Sequence, residues 1–326
     1  MRSATSLLLL AVSCSLLPLA FMQPLAAQQQ VVDAGFKTSV EKPAYPRNGG
    51  PTIAIDEAHA NTHTASGLYK PFAELLTNDG YRVSASTAKF SASSFGDIDV
   101  LVVANANARN FTDPAFSDNE CDAVRDWVRD GGALLLIADH EPFGTSAANL
   151  ASRFGVVMGK GRVFEPTSGS VTTQLVFSRD NGLLGAHAVM RGRDASEEVK
   201  TVKSFTGQSL SVPDGASSLL KLSATAREAP TTDDLDAEAA ARRAAAPSGT
   251  FGARSRSVVG LAQGVAMPFG KGKIVVLGEA ALFSAQVVTL PDGDRQRVMQ
   301  IGMNVPGNDD RQFALNVLHW LSGLLK

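Results

Sequence analysis

Two uninterrupted apolar runs restrict the fold most. Val100-Leu101-Val102-Val103-Ala104 and Ala133-Leu134-Leu135-Leu136-Ile137-Ala138 are each about one strand long and carry no polar face. Strands of that kind belong to a sheet covered on both sides, as parallel sheets are. Between them lies a well-signalled helix. Ser117 stands three residues before Glu120 as in a capping box, Val124, Trp127 and Val128 form a stripe, and Gly131-Gly132 closes it. Thr52-Ile53-Ala54-Ile55 supplies an earlier strand, and a helical pattern over 66–77 follows it, with Leu68, Phe72, Leu75 and Leu76 on one face. Strands alternating with helices predict an α/β domain with a doubly wound, mostly parallel sheet.

The rest of the chain elaborates on this unit. A hairpin is expected from 258–267 and 273–277, around Pro268-Phe269-Gly270-Lys271-Gly272. A helix is expected at 147–154 with Ser146 as its cap, and a last one over 311–325 with Phe313, Val317, Leu318, Leu321 and Leu325 inward. Residues 163–177 and 199–222 read as an irregular β-rich elaboration, and 286–310 as loop. The alanine-rich stretch 224–256 has almost no bulky apolar residue and is expected to be an exposed, low-order insertion with a short helix.

The first residues suggest export. Arg2, the run from Leu7 to Val12, and Leu25-Ala26-Ala27 before Gln28 have the layout of a signal peptide cleaved after Ala27. Residues 28–50 then form a flexible leader, and 51–326 a single α/β domain. A periplasmic or secreted location follows, with a lipoprotein acylated at Cys14 as the alternative. Removal of Cys14 leaves Cys121 alone, inside a helical pattern and without a histidine nearby, as a packing thiol. Net charge is −2 without long charged blocks, so nucleic acid is not an expected partner; nor is a stable membrane span after cleavage.

The polar residues that need explaining stand where strands end: Asp56, Glu57, His59, Asn61 and His63 after the first, Asp139, His140 and Glu141 after the Ala133 run, and Glu279 after 273–277. In a parallel sheet these ends share one edge, where ligands bind. Imidazoles beside carboxylates suit general acid–base work or a divalent metal such as zinc. We therefore expect His59, His140, Asp139 and Glu279 as catalytic groups, Asp56, Glu57 and Asn61 as ligand-binding groups, and His59, His63, Asp139 and His140 as metal ligands. His187 and His319 read as structural. Gly159-Lys160-Gly161-Arg162 and Gly270-Lys271-Gly272-Lys273 are set aside as phosphate loops, because each leads into a strand rather than a helix.

Several motifs carry a family resemblance: Ile55-Asp56-Glu57-Ala58-His59 with His63, Leu135-Leu136-Ile137-Ala138-Asp139-His140, Phe205-Thr206-Gly207-Gln208, Gly278-Glu279-Ala280-Ala281-Leu282-Phe283-Ser284-Ala285-Gln286, and Asn316-Val317-Leu318-His319-Trp320-Leu321. Over 51–325, apart from the 224–256 insertion, the chain resembles the class I glutamine amidotransferase-like fold, a flavodoxin-like sandwich. More closely it resembles exported bacterial proteins of that superfamily that have no assigned function. True amidotransferases carry a Gly-x-Cys-x-Gly elbow; here Ala138-Asp139-His140-Glu141 occupies that place, and Gly278-Glu279 lacks the accompanying histidine. The resemblance thus implies the fold without glutamine hydrolysis, since no thiolate is present to form an acyl-enzyme. Two functions are expected as alternatives: a metal-assisted hydrolase, or a non-catalytic ligand-binding or scaffold domain.

Overall fold

The computed structural model describes residues 30–292 and 295–326. The expected signal segment, with Cys14 and Ala27, lies outside the described residues. A seven-stranded sheet forms the centre. Its strands in chain order are β1 (Thr52–Asp56), β2 (Arg82–Ser86), β3 (Val100–Ala104), β4 (Ala133–Ile137), β5 (Ser217–Lys221), β6 (Ala262–Phe269) and β7 (Gly272–Leu277). Across the sheet they run β5-β6-β7-β4-β3-β1-β2.

The sheet is mixed, where a mostly parallel, doubly wound one was expected. β2, β1, β3, β4 and β7 are parallel neighbours. β6 returns antiparallel on β7, and β5 pairs antiparallel with β6. The reason is local: the tight turn at Gly270 allows the chain to double back directly, so no crossover helix intervenes.

The apolar runs divide strictly by alternation. Ile53, Ile55, Val100, Val102, Leu135, Ile137, Val275 and Leu277 face one side, against α1 (Lys70–Asn78) and α5 (Asp310–Leu321). Ala54, Leu101, Val103, Leu134, Leu136, Ile274 and Val276 face the other, against α2 (Asp118–Arg129) and α3 (Phe143–Ser152). Each fully buried aliphatic side chain contributes about 1.5–3 kcal/mol. The two filled faces therefore fix the position of every strand end.

Several sequence expectations need correcting. α1 begins at Lys70 rather than 66, because Ser66 to Tyr69 turn before Pro71 sets the first helical φ. α3 begins at Phe143, so Ser146 is not its cap; it lies buried in the helix and donates to Asn107 Oδ1 (2.9 Å). Residues 286–310 are not loop. Ala285–Asp292 and Arg295–Gly302 form a hairpin, and Gln30–Val32 adds to it antiparallel. In the leader, Tyr45 packs edge-on against Tyr81, and Ala44 N donates to Asp79 Oδ1 (2.7 Å).

The 224–256 stretch carries the strand Arg227–Ala229, the twelve-residue helix α4 (Thr232–Arg243) and the strand Arg256–Ser257. It packs through polar groups where bulky apolar ones are lacking: Glu228 accepts from Ser209 N (2.9 Å), and Glu238 accepts from Ser248 and Ser255.

Candidate functional site

Strand order decides which polar residues can meet. β7, β4, β3 and β1 are consecutive and parallel, so Glu279, Asp139, Asn105 and Asp56 follow one another along one edge. Asn105 leaves β3 in the left-handed region (φ 44°), which asparagine tolerates better than most residues. Its side chain brackets Asp139: Oδ1 accepts from Asp139 N (2.9 Å) and Nδ2 donates to Asp139 Oδ2 (2.7 Å). The other carboxylate oxygen accepts from Ala280 N (2.6 Å). Asp139 thus ties three strand ends together and remains half-exposed.

Glu279 is fully buried. Its oxygens accept from Ala281 N (2.8 Å) and Leu282 N (2.9 Å), closing the turn after β7. Burial, followed by the charge on Asp139, holds its carboxyl well above the usual carboxylate range. Tyr69 donates to Ala280 O (2.9 Å) beneath the same turn, and burial keeps it a neutral phenol.

His59 lies deeper. Nδ1 stands 2.9 Å from Asp56 Oδ2, and Nε2 stands 3.0 Å from Glu120 Oε1. Ionised carboxylates only accept, so both ring nitrogens carry protons and His59 is an imidazolium between two anions. Its side chain is 0% exposed and wedged between Phe90 and Phe116, each 4.6 Å away by ring centroids. Burial pulls its pKa down, but Asp56 and then Glu120 outweigh that and raise it. Burial pushes Glu120 up, while His59 and Ser117 bring it down to about 2. Asn61 completes the network, donating to Asp56 Oδ2 (3.1 Å) and Ala104 O (3.2 Å). Glu57 accepts from Ala65 N (2.8 Å) and holds the following turn.

His63 is buried against Tyr69, and its Nδ1 accepts from Asn105 Nδ2 (3.3 Å). Its Nε2 has no partner among the described residues. Burial lowers its pKa, with Asp139 opposing, so the ring is neutral. His140 is half-buried at the rim. Nδ1 donates to Glu141 O (2.9 Å), which fixes the tautomer and leaves a lone pair on Nε2. Burial lowers its pKa as well, against Asp139.

The expected residues therefore fall into a buried network (Asp56, His59, Asn61), a joint between strand ends (Asp139, Glu279) and a rim imidazole (His140). Among the described residues, no group of three or more His, Cys, Asp or Glu side chains is arranged to hold a metal ion. The donor chemistry agrees: carboxylates occupy both nitrogens of His59, and Asn105 occupies Nδ1 of His63. The set His59, His63, Asp139 and His140 does not fit a metal.

Three concavities lie away from this edge. One of about 370 Å³ sits by Thr77 and Val83, one of about 490 Å³ by Phe205 and Met299, and one of about 480 Å³ by Arg193 and Arg311. His319, expected to be structural, pairs its Nε2 with Asp79 Oδ2 (2.7 Å) in the core. His187 Nδ1 accepts from Val189 N (3.3 Å) at a helix start.

One solved structure shares the fold. The chain is similar to the N-terminal domain of mmIFT52, at 12% identity and a TM-score of 0.55, over 83% of this chain and 97% of that domain. Looser likenesses are a cytoplasmic protein from Salmonella typhimurium (14% identity, TM-score 0.44, 83% of this chain and 98% of that one) and a ThuA-like protein from Bacteroides uniformis (12%, 0.40, 86% and 93%). No family model matches the sequence, and no curated protein does.

Three residues of this edge carry no sequence signal comparable to the histidines. Glu120 reads as a capping-box residue, and Ser117 N does donate to its Oε2 (2.9 Å); the bond from its other oxygen to His59 is long-range. Asn105 looks like the end of an apolar strand. Gln208, fully buried, donates from Nε2 to Ala138 O and Asp139 O (2.9 Å each), visible beforehand only as part of a motif.

Proposed function

We propose that the His140–Asp139 rim is a water-activating hydrolytic site on an exported domain of the class I glutamine amidotransferase-like type. One observation carries this reading: His140 is a half-buried imidazole whose Nδ1–H is fixed on Glu141 O and whose Nε2 lone pair is free. Burial favours the neutral form, which is the form a base needs near pH 7. Nε2 would take a proton from water as the hydroxyl attacks an electrophilic carbon or phosphorus, and would return it to the leaving group as the bond from that atom to the leaving group breaks. Asp139, held by Asn105 and Ala280 N, lies beside the imidazolium as it forms and offsets its charge. Glu279 and Gln208 support the turn without reaching solvent.

Glutamine hydrolysis by a thiolate is not part of this reading. Cys121 is buried in α2, and burial pushes its thiol up to about 12. The likeness at the level of fold leaves the chemistry to these side chains. Export is proposed from the 1–27 segment, with Gln28 as the mature N-terminus.

The test is His140→Gln against a panel of ester, phosphoester and amide substrates. Loss of a general base lowers kcat by about 10²–10⁴. Substrates turned over equally by wild type and variant sink the reading. The lack of a three-ligand metal cluster among the described residues favours a second one, a non-catalytic binding or scaffold domain, under which neither protein turns over any member of the panel.

A further inference from the structure

Two cations are brought to the same rim by backbone contacts. Glu141 N donates to Lys160 O (2.8 Å), and Lys160 N donates to Gln208 Oε1 (2.7 Å), the side chain that also holds Ala138 and Asp139. Gly144, in the first turn of α3, comes so near that a Cβ there would lie 3.0 Å from Lys160 Cα. Lys160 is itself left-handed (φ 72°), and two residues on Arg162 opens the strand Arg162–Thr167.

Arg162 is half-buried, and its charge is felt by His140. Some partly buried arginines are answered by carboxylates, Arg153 by Asp118 and Asp122 and Arg193 by Glu197, and others by neutral oxygens, Arg311 by Ser39 O and Arg227 by Ser255. The Arg162 guanidinium has neither a hydrogen bond nor an ion pair among the described residues, and burial lowers it. The acids of the rim are already engaged, Asp139 by Asn105 and Ala280 N, Glu141 by the Thr145 hydroxyl. The ten-residue helix α3 also presents its N-terminus here, which adds partial positive charge.

We propose that Arg162, assisted by Lys160, anchors an oxyanion group, phosphate or carboxylate, on the molecule that occupies the His140–Asp139 rim. This rests on the reading of that rim as the reactive site. A guanidinium suits the task because its planar fork grips two oxygens at once. The recognition is by side chains at a strand start, so the Gly159-Lys160-Gly161-Arg162 stretch serves an anion without forming a phosphate-cradling loop.

Calorimetric titration with inorganic phosphate and, separately, acetate tests the proposal on the full mature chain at low ionic strength. Wild type is expected to bind at least one of them, and Arg162→Gln to weaken that binding by about tenfold or more. Arg162→Lys should fall between, since the charge remains and the fork is lost. Lys160→Gln should weaken binding by about two- to fivefold, consistent with a point charge on a flexible stem that grips no oxygen pair. A preference for phosphate or for acetate assigns the group. Equal affinity in wild type and Arg162→Gln, or no binding of either anion by wild type, overturns the anchor. His140→Gln separates the two readings. If it leaves hydrolysis intact while Arg162→Gln abolishes anion binding, the base is wrong and the anchor stands. If it abolishes hydrolysis while Arg162→Gln binds phosphate normally, the anchor alone falls.

Discussion

Replacing His59 with alanine should damage stability far more than a rim substitution does. The ring is 0% exposed, bonded at 2.9 Å to Asp56 and at 3.0 Å to Glu120, and held between two phenylalanines. Its removal leaves two buried carboxylates facing a void. Asp56 keeps donors at Ala58 N and Asn61 Nδ2, and Glu120 keeps Ser117, so the carboxylates are not stripped bare. Breaking a buried pair costs about 3–5 kcal/mol. For a chain of this size that corresponds to a fall in Tm of roughly 6–20 °C. His140→Ala loses one carbonyl contact at a half-exposed position and should cost about 1 kcal/mol.

The pH dependence adds a second signature. His59 has a folded pKa above its ordinary 6.5, so its contribution is complete below pH 6.5 and is lost as pH rises through the folded value. Glu120 falls from 4.5 to about 2, so its contribution is complete above pH 4.5 and is lost as pH falls toward 2. The stability difference between wild type and His59→Ala should therefore be largest between pH 4.5 and 6.5 and shrink on both sides. Thermal melts followed by circular dichroism from pH 3 to pH 9 measure it. A His59→Ala Tm within 2 °C of wild type across that range would refute the buried-imidazolium account.

Two further outcomes follow from the same geometry. Asn105→Ala loses both bonds to Asp139 and puts at φ 44° a residue that tolerates the left-handed region less well than asparagine, a combined cost of roughly 2–4 kcal/mol. Asn105→Gly relieves only the backbone part, and urea unfolding should rank it between alanine and wild type. Cys121 should resist an aromatic disulfide reagent at pH 8 in the folded protein, because the thiol is buried and pushed up to about 12. It should titrate fully in guanidinium, and rapid native labelling would contradict the packing of α2.

What was legible in the sequence was local. The uninterrupted runs at 100–104 and 133–137, the Ser117–Glu120 capping box and the hairpin of β6 and β7 all appear where periodicity and turn chemistry place them. The strand ends also indicated which acids share an edge, since Asp56, Asp139 and Glu279 follow the parallel strands β1, β4 and β7, with only β3 between the first two. The partition of the histidines was not legible. His59 and His140 look alike in sequence, and only the distant Glu120, Phe90 and Phe116 make one of them an interior cation. The 285–302 hairpin did leave a signal, Pro291-Asp292-Gly293-Asp294 between β-branched stretches, but interspersed Gln and Arg residues mask it. A short helix was expected within 224–256, but the packing of α4 was not legible, because its buried side includes Asp234 and Glu238, whose partners, Arg254 and Ser255 among them, lie outside the helix.

The strand at the amino end has a consequence for the order of assembly. Gln30 pairs with Val288 and Val32 with Gln286, so the beginning of the chain finds its place only on a hairpin made near its end. Contacts spanning nearly the whole length close late, because the loop entropy is lost before the contact forms. Residues 30–32 therefore have no strand to pair with until almost everything else described has been synthesised. They stay available to whatever machinery handles unfolded polypeptide, and their final docking marks a chain that is complete through residue 302.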